Sequence, residues 1–366
     1  MHFGLFNLMT QREKGRSPAL IYRETAEHVR MAEAAGMEIA WFAEHHFSNY
    51  CLCPSPLTLV NWMAGQTSRI KLGPAVIVAP LYEPIRLMEE IGLADQLSGG
   101  RLVLGFGTGY QAYEFHKFGR DLKQARAALF EVLDMAEMYF AHESFAFDGR
   151  GVTMPETAFS VRPVQRRPAV YLAGMGSDAE AQRRAADRGY VPFFTTGWNP
   201  VEAIVKARGG VAATWAGIGA DPAAMPFAIQ RYVCVTDSRD EALRAAEGAR
   251  YVRRIAQAMR GGYGVLEGAY LREMPAEDEP SLEAIAARLP VGDPETVAER
   301  LARDIEALNP DHISLFMGIP GMEQRQVLRS IDRFGSAVLP LWRRRFGDRA
   351  ARGVLGARQP APALAG

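Results

Sequence analysis

The chain has 366 residues, of which 48% are hydrophobic and 23% charged, enough apolar content for a large core and too much for a disordered polymer. Its 42 basic and 42 acidic residues cancel, so no overall field draws it to nucleic acid or to an anionic membrane, and a small-molecule partner is the default. Cys51, Cys53 and Cys234 are too few for a disulfide framework, the start MHFGLFNLM lacks an export signal, and no run reaches membrane-spanning length, so a cytoplasmic protein is expected.

In chain order, His2 to Leu8 is a short apolar run that suits a first strand. Ser17-Pro18 reads as the cap and first residue of a helix that places Tyr22, Ala26, Val29 and Ala32 on one face and stops at Gly36. The stretch Glu38 to Phe47, EIAWFAEHHF, is a buried strand that ends abruptly on three titratable residues, Glu44, His45 and His46. A helix follows at Leu57 to Gln66. Ile70 to Val78 is a third strand, Glu83-Pro84 opens a helix to about Leu97, and Arg101 to Gly105 is a fourth strand. After a helix over Leu122 to Phe140, Asp148-Gly149 marks a hairpin excursion within residues 145–161. Strands at Ala169 to Ala173, Tyr190 to Thr195, Phe227 to Val235 and His312 to Phe316 alternate with helices at Asp178 to Arg188, Pro200 to Arg208, Arg239 to Ala258, Pro294 to Leu308 and Met322 to Leu339.

Eight strands alternating with helices fit either an eightfold barrel or a doubly wound sheet, and eight units without a composition break favour the barrel. One domain over residues 1–345 is expected. Residues 261–288, rich in Gly, Pro and acid, read as a mobile loop over the barrel mouth, and residues 346–366 as a loose tail.

EHHF closing the second strand, LGPAVIVAP in the third, RLVLGFGTGY in the fourth and VGDPETVAERL before the last together resemble the bacterial luciferase-like flavin-dependent monooxygenases, from Met1 to about Leu341. The resemblance implies a (β/α)8 TIM barrel, in agreement with the strand count. It also implies FMN, delivered as FMNH2 by a separate NAD(P)H flavin reductase, and a flavin peroxide that inserts one atom of O2 into a small organic substrate. More distant branches of the fold use F420 for hydride transfer, and some relatives bind flavin without turnover. Relatives are homodimers or larger. No glycine fingerprint follows the first strand, so a dinucleotide in a Rossmann fold is not expected.

His45 matches the family histidine beside the flavin ring, and an imidazole can exchange protons with a peroxide or substrate near neutral pH. Glu44 is placed to orient His45 or to pair with a basic side chain. Adjacent strand residues diverge, so His46 has a different task, and the divergence together with the lack of a second ligand pair argues against a metal site. The resemblance implies a cis peptide at Ala75-Val76 beneath the ring. It places the FMN phosphate at the Gly174-Met175-Gly176-Ser177 turn, where Ser177 to Glu180 has capping-box spacing, and on Arg126 in the helix after the fourth strand. Where the luciferase α subunit has a reactive cysteine and an arginine, this chain has Gly107 and Thr108. Thr108 keeps a hydroxyl for the phosphate, but light emission from a long-chain aldehyde is not expected. Asn7, and Thr195 or Thr196, are polar groups at strand ends suited to ring contacts; Tyr110, Tyr113 and Trp198 are placed either to line a substrate pocket or only to pack loops.

Overall fold

The computed structural model describes residues 1–275 and 279–347; the expected tail lies almost wholly outside them. The barrel strands are β1 (His2–Asn7), β2 (Ile39–Phe42), β3 in two pieces (Lys71–Pro74 and Ile77–Val78), β4 (Leu104–Gly107), β5 (Val170–Ala173), β6 (Val191–Thr195), β7 (Ala228–Tyr232) and β8 (His312–Phe316). Parallel pairing runs β3-β2-β1-β8-β7-β6-β5-β4. The first piece of β3 pairs with β2 and the second with β4, so this strand closes the ring. The architecture is the expected (β/α)8 barrel.

Residues paired in register share a face of the sheet, so one inward residue fixes its neighbours. Trp41, Tyr171, Phe193 and His312 meet inside the barrel, with the Trp41 and Tyr171 rings 4.7 Å apart and His312 stacked on both Trp41 and Phe193. Glycines opposite make room for these rings. A Cβ on Gly4 would stand 2.7 Å from His312 Nε2, and one on Gly73 2.9 Å from the Trp41 ring. Burial drives the His312 imidazole well below its usual pKa, so it is neutral, accepting from Trp41 Nε1 at 3.4 Å and facing the Tyr171 hydroxyl at 3.1 Å through Nδ1. Toward the carboxyl ends, Phe6, Tyr232 and Phe316 fill one side of the interior. On the other side β4, β5 and β6 end in the small residues Gly107, Ala173 and Thr195, and Thr195 is exposed. The barrel is therefore plugged across its middle and open above β4 to β6.

Several elements differ from the sequence expectation. Strand β3 is interrupted at Ala75-Val76, whose peptide bond is cis. Strand β4 begins three residues late because Arg101 is spent on the preceding turn, where it donates to the carbonyls of Ser98, Ile70 and Ala64 and to the Thr67 hydroxyl. The helix expected to end at Arg208 continues as Val201–Gly217, since Val211 and Trp215 beyond the Gly209-Gly210 pair are buried. Asp178, not Ser177, caps the helix Ala179–Arg188 by accepting from the Ala181 amide. The closing helix is Gln324–Arg333, a wider π turn at Phe334–Val338 and a further helix Leu339–Phe346; Pro340 lacks the donor that an unbroken ladder would need there. The hairpin excursion forms as Ser144–Asp148 against Thr153–Ala158.

Residues 261–288 contain a small hairpin, Leu266–Glu267 with Tyr270–Leu271, and the helix Leu282–Arg288. Asn49 fastens the hairpin over the mouth: its amide donates to the Ala269 carbonyl, and its Oδ1 accepts from the Leu271 amide. The same Asn49 donates to the Tyr251 hydroxyl, which brings the helix Arg239–Arg260 to the rim.

Candidate active site

Strand β2 ends at Phe42, and the next residues turn over the rim with three different environments. Glu44, only 2% exposed, sends Oε1 to His46 Nε2 at 3.0 Å and Oε2 to the Val78 amide and the Tyr82 hydroxyl. Burial raises its pKa against those three partners. Glu44 therefore braces the second piece of β3 and does not touch His45. The expectation that it orients His45 is corrected: its basic partner is His46, on the opposite side of the backbone, as alternation requires.

His45 has other partners. Its Nδ1 lies 3.2 Å from Glu114 Oε1 and 3.0 Å from the Gln111 amide, and both of those side chains are fully buried. Glu114 Oε1 also accepts from the His46 amide at 2.7 Å, which fixes the carboxylate against the turn. Glu114 Oε2 and Gln111 Oε1 are buried without a protein partner. Glu114 and Gln111 together occupy Nδ1, and Nε2 is the nitrogen left to exchange a proton with a bound molecule. Sequence reasoning missed both partners. They sit three residues apart at the start of the short helix Ala112–Lys117, so they share a face, and that spacing was the available signal.

Aromatic rings surround the imidazole. Tyr50 packs at 4.8 Å and Tyr110 meets the imidazole in an edge contact at 5.6 Å. Tyr113 braces the turn: its hydroxyl donates to the His46 carbonyl at 2.7 Å and lies 3.0 Å from the Ser48 hydroxyl. Trp198 is half-buried against the core.

The residues expected to hold a cofactor fall mostly on one arc. Ala75 and Val76, Thr108, Gly174 to Ser177 and Thr195 follow or end the adjacent strands β3, β4, β5 and β6. Gly174 and Gly176 have φ of +78° and +42°, and a Cβ on either would meet only open space. By contrast a Cβ on Gly107 would stand 2.8 Å from Val76, so a side chain there would fill the floor of the opening. Thr108 spends its hydroxyl on the Gly109 carbonyl at 3.0 Å. Arg126 reaches the same turn and is held by both Asp178 oxygens, at 2.7 and 3.0 Å. That pair keeps the Asp178 carboxyl below the usual carboxylate range and cancels the charge that would otherwise repel a phosphate at the turn. Thr196 turns away, its hydroxyl on the Gln230 carbonyl.

Asn7 is not on this arc. It donates to the Trp41 carbonyl at 3.0 Å and lines a crevice with Ile21, Thr25 and His28 of the first helix, on the outer face of β1. As a ring contact it is corrected: along β1 the even residues, Gly4 and Phe6, point inward, and Asn7 is odd.

An open floor of small residues, glycines poised in a turn, a guanidinium at a helix N-terminus and a buttressed histidine fit a planar, phosphate-bearing cofactor. The family model described as luciferase-like monooxygenase matches residues 1–312. An uncharacterized protein of Sinorhizobium fredii is 35% identical over 349 residues, 95% of this chain and 99% of that protein. The oxygenase component of the flavin-dependent trigonelline monooxygenase of Acinetobacter baylyi is 28% identical over 176 residues, 47% of this chain and 49% of that protein. Among solved structures, the oxygenating constituent of 3,6-diketocamphane monooxygenase from Pseudomonas putida, in complex with FMN, superposes with a TM-score of 0.72 at 20% identity, covering 93% of this chain and 98% of that one. The F420-dependent tetrahydromethanopterin reductase of Methanopyrus kandleri superposes with a TM-score of 0.67 at 18% identity, covering 93% and 99%. At these identities the two structures speak to the fold alone.

Proposed function

The chain belongs to the luciferase-like monooxygenase family, a family of oxidoreductases, and from that premise we propose that it is an FMNH2-dependent monooxygenase that places one atom of O2 into a small organic substrate. The observation that carries this reading is the pairing of His45 with Glu114 beside the opening above β4 to β6. A proton-handling group stands at the edge of a floor that only small side chains line. FMN would lie across Ala75, Val76, Gly107 and Ala173, with Thr195 at its margin. Its phosphate would meet Arg126, the Ser177 hydroxyl and the backbone amides of Gly174 to Ser177. When bound, reduced flavin supplies the electrons that activate oxygen.

The chain's own residues have three tasks in this account. Glu114 and Gln111 keep the His45 ring in one orientation, so Nε2 addresses the opening. His45 gives or takes a proton there. Tyr50 and Tyr110 pack about the imidazole and exclude water, which strengthens every charge interaction within. A separate flavin reductase would deliver FMNH2, as the name of the trigonelline enzyme's oxygenase component suggests for that relative. F420 is the competing cofactor, since the fold is shared with F420-dependent enzymes. Anaerobic titration decides between them: we expect FMNH2 to bind at micromolar concentration or tighter and reduced F420 at least ~10-fold more weakly, a difference of about 1.4 kcal/mol. The reverse order would remove the monooxygenase reading.

A further inference from the structure

The helix Arg239–Arg260 carries its arginines in two different conditions. On one flank Arg250 is paired with Glu247, and Arg254 with both Glu273 and Glu279. On the other flank Arg253 and Arg260 are exposed and make no ion pair with any described residue. Seven residues apart, they lie two turns apart on one side of the helix, about 10 Å along its axis.

That side faces the mouth. The Arg260 guanidinium lies over the Tyr110 ring at 4.9 Å, and His45 meets the same ring in an edge contact at 5.6 Å. One aromatic ring therefore touches both an uncompensated cation and the proton-handling histidine. Arg253 is near enough for its charge to act on the phenol of Tyr232, which is buried at the carboxyl end of β7 and stacked on Phe316 at 4.8 Å. The phosphate-binding features, Arg126 and the Gly174 to Ser177 turn, belong instead to the β4 and β5 side. Arg126 is neutralised by Asp178, so Arg260 and Arg253 form a second pole of the mouth, the one of the two left without a carboxylate among the described residues.

We propose that the second pole selects the substrate: it is an organic anion, a carboxylate or sulfonate, whose acid group is held by Arg260 within the positive field of Arg253 while its reacting carbon lies against Tyr50, Tyr110 and His45. A guanidinium presents two parallel donors to such a group, and Tyr110 holds its plane in place from below. The class of substrate deepens the proposed function and rests on it.

The test uses matched probes. The full chain, with and without saturating FMN, is titrated by calorimetry with benzoate, benzenesulfonate and the neutral benzamide, and the titrations are repeated on Arg260→Ala, Arg253→Ala and the double variant. We expect both anions to bind at least ~10-fold more tightly than benzamide, with that preference lost in Arg260→Ala, reduced in Arg253→Ala, and affinity for FMN unchanged in all three. Equal binding of benzamide and benzoate would overturn the assignment, as would a preference that survives the double variant. So would Arg260→Ala weakening FMN while leaving riboflavin unaffected, because the arginine would then be a second ligand of the cofactor phosphate. Because the flavin-free chain is titrated in parallel, arginine-dependent binding of benzoate without any binding of FMN would retain the anion site and reject the flavin reading instead.

Discussion

Single residues decide most of what this barrel can do. Histidines alone show how environment sorts one side-chain type into three roles. His312 is neutral and structural inside the aromatic plug, His46 is locked to Glu44, and His45 is held through Nδ1 by Glu114 and Gln111. Replacing Glu114 by Gln removes the carboxylate that fixes Nδ1 but keeps the shape. We expect kcat to fall by about 10²-fold with FMN affinity nearly unchanged. An unchanged kcat would show that Glu114 only packs. Arg126→Ala should weaken FMN by about tenfold and leave riboflavin, which lacks the phosphate, unaffected. Equal loss of both ligands in flavin fluorescence titration would move the phosphate elsewhere. At Gly4 a methyl group would meet His312 Nε2 and the Ile39 carbonyl oxygen, each at 2.7 Å, so Gly4→Ala should cost ~1–3 kcal/mol in chemical denaturation. A neutral result would show that the plug can shift.

At the scale of elements, the first helix packs on the closing helix through a buried histidine. His28 Nε2 lies 2.7 Å from Gln324 Oε1, and burial takes its pKa down to about 4. The folded state thus holds His28 neutral while the unfolded chain takes a proton near pH 6.5. The resulting stability is present in full above that value and is lost as pH falls from about 6.5 to 4, by at most ~3 kcal/mol. Denaturation midpoints across that range should flatten in His28→Gln, and parallel slopes in the two proteins would contradict this. Elements are also where sequence reading succeeds and fails most visibly. The cap at Ser17, the helix opening at Glu83-Pro84 and the eight strands were legible because period and caps are local signals. Strand β4 starts late and the helix through Gly209-Gly210 runs on because Arg101 and Trp215 answer to partners distant in sequence. The same limit hid the site: EHHF announced His45, but its partners Gln111 and Glu114 lie more than sixty residues away, and their three-residue spacing shows a shared face without naming the imidazole it serves.

For the whole molecule, closure of the ring at β3 sets His45, at the end of β2, beside the open arc of β4 to β6, and the helix Arg239–Arg260 covers the remaining rim. The sheet order, with parallel pairing throughout, could be anticipated from eight repeated units; the contrast between Arg126, neutralised by Asp178, and the unpaired Arg253 and Arg260 could not, since it depends on which arginines find carboxylates in three dimensions. Among the described residues no helix is long and apolar enough to cross a membrane. The central claim is that the opening binds reduced FMN and that His45 manages a proton during reaction with oxygen. Rapid mixing of the anaerobic FMNH2-loaded protein with oxygenated buffer, followed by flavin absorbance, tests it most directly. The account predicts that the native protein forms an oxygen-dependent species persisting for seconds or longer before oxidised flavin appears, and that His45→Ala shortens its life at least ~100-fold without loss of FMNH2 binding. Direct appearance of oxidised FMN at the rate of free flavin, identical in both proteins, would contradict it.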